Sequence, residues 1–252
     1  MYGIFENKSE KIFQEYIRSF DLHDEKIRLK VEHTFRVVNI MDYMTKKLNL
    51  NEKDQDLAHT IALFHDIGRF EQIRTYHTFI DEQSVDHGDL GCEILEKNKI
   101  LEEKDKDIIL CAIHNHNKFL IESGLDERTL LMCQLIRDAD KADIFHVFSE
   151  QDYPTLFGFT KEEIENSFVS PAVKDCLMHH RCVRKEDRKS GIDFCLTFIG
   201  FFYDLYFDET VKYVLEKKEY LLPFQSFSFT HEQTRRDIKD IFQELYIYLN
   251  KK

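Results

Sequence analysis

Turn-forming residues are scarce in this sequence, with eight glycines and three prolines among 252 residues, about a third of the usual share of roughly 12%. An all-β architecture needs a tight turn about every 8 to 12 residues, and this chain cannot supply them. It reads as all-α. Hydrophobic residues make up 42% of the chain, enough to bury a sizeable core. No repeat, low-complexity tract or Gly/Ser linker interrupts it, so the expectation is a single all-α domain over 1–252. Its core would occupy about 24–150, with a C-terminal helical extension over about 160–252.

Apolar periodicity places the elements. A first helix is predicted from about Ser9 to Phe20 and a second from Asp24 to about Leu48, with Leu29, Val37, Ile40, Met41 and Met44 on its apolar side. A third begins at Asn51, whose side chain can cap it, and ends at Gly68, a good left-handed terminator. Residues 69–83 have no clean period and read as a long connection. Ser84 then reads as the cap of a helix to Asn98. Further helices are predicted over about Leu101–Asn117 and Asp126–Phe148, and then over about 161–186, 190–219 and 230–250.

Charge narrows the function. With 35 basic and 47 acidic side chains the formal net charge is −12, so the chain repels polyanions and is no partner for long nucleic acid. The most apolar run, Phe194 to Tyr203, is flanked by Asp193 and Asp204 and is half the length of a membrane span. Met1 to Gln14 lacks the pattern of a secretory signal, and the six cysteines form no CxxC pair. A cytoplasmic protein with reduced thiols is expected. Neither a GxSxG elbow, a Walker loop nor a GxGxxG turn is present, which removes support for serine acyl transfer, P-loop chemistry and dinucleotide oxidoreduction.

The chemistry lies in the polar residues on the apolar stripes. His33, His65, His87, His116 and Asp140 each fall on the apolar side of a different helix, and Asp66 follows His65 directly. Burying carboxylates and imidazoles together costs several kcal/mol per unpaired charge unless ion pairs or a metal offset it. No Lys or Arg repeats on the same stripes, which favours a metal. Imidazole and carboxylate donors without thiolate suit Mn, Fe, Ni, Mg or Zn as divalent ions. Six donors exceed what one tetrahedral ion needs, so the expectation is one or two ions, with Asp66 bridging them in the two-ion case. His116 is preferred to His114 because it shares the stripe of Ile109, Ala112 and Ile113, which leaves His114 to face a substrate.

In the order H…HD…D, carried by His33, by His65-Asp66 in FHDIGRFEQ and by Asp140 in RDADKAD, the sequence resembles the HD superfamily of metal-dependent phosphohydrolases over about residues 24–150. DHGDLGCEIL is similar to the HPxxGxxIL stretch of its members. The resemblance implies an HD-domain helical bundle in which His87 and His116 add a second ion, so that the whole reads H…HD…H…H…D. The adjacent histidine pair and the GYP triplet of the HD-GYP branch are absent, with HNKFLIESG in their place. Cyclic di-GMP specificity is therefore not supported.

The implied reaction is hydrolysis of a phosphoester or phosphoanhydride in a small phosphorylated compound, a nucleotide first among the candidates. Asp66 and Arg69 would be catalytic, with Arg69, His114, Lys141 and Arg188 binding substrate. Arg69, one turn past Asp66, suits a phosphate oxygen, and Arg188 with His180, Arg181 and Arg184 would form a basic lid. Arg74 and Lys118 are weaker candidates. Asp143 is expected to orient a histidine, and Asp138 to be exposed. The same ligand order also resembles the mixed-valent di-iron oxygenases of the superfamily. A non-catalytic nucleotide-binding module is the third reading. CLMHHRC, from Cys176 to Cys182, lacks a fourth ligand for zinc.

Overall fold

The computed structural model describes residues 8–101, 104–150 and 153–251, and among these it is helical with no strand. The chain divides into two compact units that meet in sequence at Asp143 and Ile144. The first holds α1 (Lys8–Ile17), α2 (Glu25–Lys47), α3 (Glu52–Phe64), α4 (Ile67–Tyr76), α5 (His87–Lys97) and α6 (Lys106–His116), together with most of α7 (Glu127–Glu150). Here α2 packs on α3 and α4, α5 packs on α4 and α6, and α3 packs on α1 and α6. Residues 102 and 103, the expected start of the fifth predicted helix, lie outside the described residues, as does 1–7 of the segment Met1 to Gln14.

Several starts are dictated locally. Asp24 accepts from the amides of Lys26 and Ile27, and Asn51 accepts from Asp54, as its position predicts. The helix after Ser84 is instead capped by Asp86, whose carboxylate takes the amides of Gly88 and Asp89.

The segment from 69 corrects the expected long connection. Helix α4 occupies Ile67–Tyr76, and Gly68 lies inside it rather than terminating α3. Its buried residues, Ile67, Gly68, Phe70, Gln72 and Ile73, include a glycine and a glutamine, so the inward face carries no readable apolar period.

The second unit contains α8 (Tyr153–Phe157), α9 (Lys161–Glu165), α10 (Pro171–Met178), α11 (Gly191–Phe201), α12 (Asp208–Lys217), α13 (Leu222–Ser226) and α14 (Glu232–Leu249). The long helices expected over 161–186 and 190–219 are each broken. Pro171 opens α10 and disfavours helix in the residue before it, while 3-10 geometry at Phe202–Asp204 ends α11. Asp193, fully buried, accepts from the amides of Ser170, Lys189 and Ser190 and from the Ser170 hydroxyl. The aromatic residues are core here, with Phe148 and Phe198 stacked 4.4 Å apart. No helix among the described residues is long and apolar enough to cross a membrane.

Candidate metal centre

Four helices and one helix junction deliver the polar stripes to a common point in the first unit. His33 comes from α2, His87 from the first position of α5, His116 from the last position of α6 and Asp140 from α7. His65 and Asp66 occupy the two residues between α3 and α4, where the Asp66 backbone leaves helical geometry (φ −103°, ψ 17°) and turns the two side chains apart. His33, His65, Asp66, His87 and His116 are all buried, and the Asp140 side chain, 18% exposed, is the open side of the cluster.

Each imidazole is held by its Nδ1. His65 donates to the Ala62 carbonyl (2.7 Å) and His116 to the Ile113 carbonyl (2.6 Å), both acceptors only, so the proton sits on Nδ1. His33 and His87 meet carboxylates in the same way, Asp143 at 2.7 Å and Asp81 at 2.8 Å. Four Nε2 atoms are thereby aimed inward. They fall in two pairs, His33 with His65 at 3.3 Å and His87 with His116 at 3.0 Å.

Asp66 lies between the pairs. Its Oδ2 is 3.5 Å from His33 Nε2 and 3.7 Å from His65 Nε2, and its Oδ1 is 3.4 Å from His87 Nε2 and 3.7 Å from His116 Nε2. Asp140 Oδ1 adds a donor to the first pair, 3.1 Å from His33 and 3.8 Å from His65. Two donors each about 2.1 Å from one ion stand roughly 3.0–3.4 Å apart on neighbouring vertices of a tetrahedron or octahedron. Both imidazole pairs and the shortest carboxylate contact of each pair fall in that range, at 3.0–3.4 Å, and the remaining carboxylate contacts reach 3.5–3.8 Å. Nitrogen lone pairs 3.0 Å apart beside a carboxylate repel one another, and a cation between them turns the repulsion into ligation. The residues therefore fit a divalent ion in each of two groups, His33–His65–Asp66 and Asp66–His87–His116.

Burial keeps the His65 and His87 rings neutral, with pKa values pushed down to about 4, and Arg69 adds to the effect at His87. At His33 burial and Lys30 act in the same direction but are outweighed by Asp140 and Asp143, which raise its pKa. Burial opposes ionisation of Asp66, yet Lys30 and the surrounding imidazoles hold its pKa well below the carboxylate range. Neutral rings and ionised acids are the ligating forms.

The surroundings correct the expectation that no cation shares these stripes. Lys30, three residues before His33, places its Nζ 2.7 Å from Asp66 Oδ2. Arg36, three residues after it, donates through Nε to Asp143 at 2.6 Å. Asp143 thus orients His33, whereas Asp138, expected on the surface, is fully buried. Asp143→Asn is expected to weaken metal binding at the His33 pair by about 10- to 100-fold, the usual cost of losing a residue that orients a ligand. Calorimetric titration with Mn2+ measures it, and unchanged affinity would exclude the orienting role.

Arg69 Nη1 donates to Gln72, to the Phe79 carbonyl and to Asp81 at 2.6–2.8 Å, while its buried Nε makes no hydrogen bond and stands 3.7 Å from Asp66 Oδ1. Asp81 joins this network to His87, and neither Asp81 nor Gln72 was singled out from the sequence, because both lie in the stretch that shows no period. His114 is turned to Asp89 (2.6 Å) with its side chain 43% exposed. Lys141 is buried on α7 beside Asp140. Lys118 pairs with Asp86 and Asp89, and Arg74 with Glu71. Arg188, in the second unit, lies 4.6 Å from the Phe194 ring centroid. In that unit His180 pairs with Glu244, and His179 and Arg181 with Asp175.

Searches among curated proteins and among solved structures found no match. A family model, HD domain, matches residues 31–147, a span that contains all six clustered ligand candidates. Over residues 31–147 the chain is therefore similar to the HD domain family.

Proposed function

We propose that the protein is a metal-dependent phosphohydrolase acting on a small phosphorylated compound, a nucleotide first among the candidates, with two divalent ions in its HD domain. One observation carries the reading: Asp66 offers a separate oxygen to each pair of imidazoles. His33, His65, Asp66 and Asp140 would hold one ion, and Asp66, His87 and His116 the other. Bound there, the ions supply Lewis acidity toward phosphoryl oxygens and activation of water.

The chain's own residues do the positioning. Asp143, Asp81 and the two backbone carbonyls fix the tautomer of each ring, so the ligands are set before substrate arrives. Asp81 and Gln72 hold the Arg69 guanidinium beside Asp66, where it can take a phosphoryl oxygen through a charge-assisted bond. The Phe79 ring lies 5.4 Å from Lys30 Nζ and 5.9 Å from the Arg69 guanidinium. An aromatic surface beside two cations matches the base and phosphate of a nucleotide, and this supports the substrate class.

Metal analysis of protein purified without chelator, followed by a screen of nucleotides and phosphomonoesters with Mn, Mg, Ni or Fe added anaerobically, tests the assignment. Phosphate release is the expected outcome, and oxygen consumption by the iron form without phosphate release would replace it. His87→Ala is expected to lose one metal equivalent and to lower turnover by more than about 100-fold, since losing a ligand costs more than losing the residue that orients one. Two equivalents retained in that variant would refute the second ion.

A further inference from the structure

We propose that Lys30 is a second anion-holding residue of this site, kept on Asp66 Oδ2 until an ion takes that oxygen and then turned to the substrate phosphate. The inference rests on the phosphohydrolase reading. Two cations flank Asp66, one for each half of the centre. Arg69 Nε stands 3.7 Å from Oδ1, the oxygen facing His87 and His116. Lys30 Nζ stands 2.7 Å from Oδ2, the oxygen facing His33 and His65.

The two cations are not equivalent. Arg69 is fixed through Nη1 by two side chains and a carbonyl. The Lys30 ammonium sits on a flexible four-carbon stem, its side chain 15% exposed, beneath the face of Phe79. It occupies the oxygen that the first group of donors needs. An ammonium and a divalent ion drawn to one carboxylate oxygen repel each other over a few ångströms of low-dielectric interior. Arrival of the ion therefore releases Nζ, and the partly exposed stem lets it swing off the carboxylate beneath Phe79. An anion there is its natural partner.

Mn2+ titration calorimetry separates the two halves. In a His87→Ala/His116→Ala background, where only the His33 half remains, Lys30→Met is expected to tighten Mn2+ at least tenfold, because its competitor is gone. In a His33→Ala/His65→Ala background the same substitution is expected to leave Mn2+ affinity unchanged. With the ligands intact and both ions loaded, Lys30→Met is expected to weaken inorganic phosphate at least tenfold.

Lys30→Gln repeats each titration with a polar side chain, so that a packing defect in one variant does not decide the outcome. Superimposable Mn2+ isotherms with and without Lys30, or unchanged phosphate affinity, would overturn the role of Lys30 while leaving the metal reading intact. A chain that takes no Mn2+ in any background would overturn both.

Discussion

Asp66→Asn is expected to lose both ions and to lower turnover by more than about 10³-fold, equivalent to roughly 4 kcal/mol of barrier. Among the described residues, Asp66 is the carboxylate that reaches both imidazole pairs, through different oxygens. An amide keeps the shape but loses the charge, and only its oxygen remains a ligand, so it cannot serve two cations. The helical fold should persist, because the four rings keep their Nδ1 partners and the partly exposed Lys30 can turn to water once its partner is gone. Metal content and far-ultraviolet dichroism measured together decide the matter. Two ions per chain in a folded variant would show that Asp66 is no bridge.

Four members of the cluster were legible in the sequence because they sit on helices. His33, His87, His116 and Asp140 occupy positions where an apolar side chain would continue the stripe, so a 3.6-residue period exposes them as exceptions. The helices bearing them, α2, α5, α6 and α7, lie close to their predicted spans. What was not legible is what periodicity does not encode. Asp81 belongs to the 3-10 turn Asp81–Gln83, and its link to His87 arises only when the chain doubles back. Lys30 and Arg36 lie on the face of His33, but their charge disguises that position as solvent-facing. Gly68 reads as a terminator because glycine's commonest service at a helix end is a left-handed conformation. The backbone uses it instead for its lack of a side chain.

That use makes Gly68→Ala the most damaging small substitution expected outside the ligands. A Cβ there would lie 2.1 Å from the His87 carbonyl oxygen, 2.8 Å from the Gly91 amide nitrogen and 3.1 Å from the His87 carbonyl carbon. All three are backbone atoms of α5, so no rotamer change relieves the clash, and the helix must move. Overpacking of this kind costs about 3 kcal/mol when side chains cannot yield. The displacement also has a chemical consequence, because α4 starts directly after Asp66 and α5 starts at His87. Driving the two helices apart widens the 3.4 Å separation of His87 Nε2 from Asp66 Oδ1 and spoils one group of donors. The His33–His65 group does not involve α5 and should survive. Gly68→Ala is therefore expected to lower the urea midpoint and to bind one ion fewer than the wild type. Gly124→Ala supplies the contrast, since nothing lies within 4 Å of a Cβ there and only its left-handed backbone (φ 88°) is strained. It should cost about 1 to 2 kcal/mol and keep both ions. A Gly68→Ala protein with the wild-type midpoint and two ions would mean that the α4–α5 contact does not set the geometry of the centre.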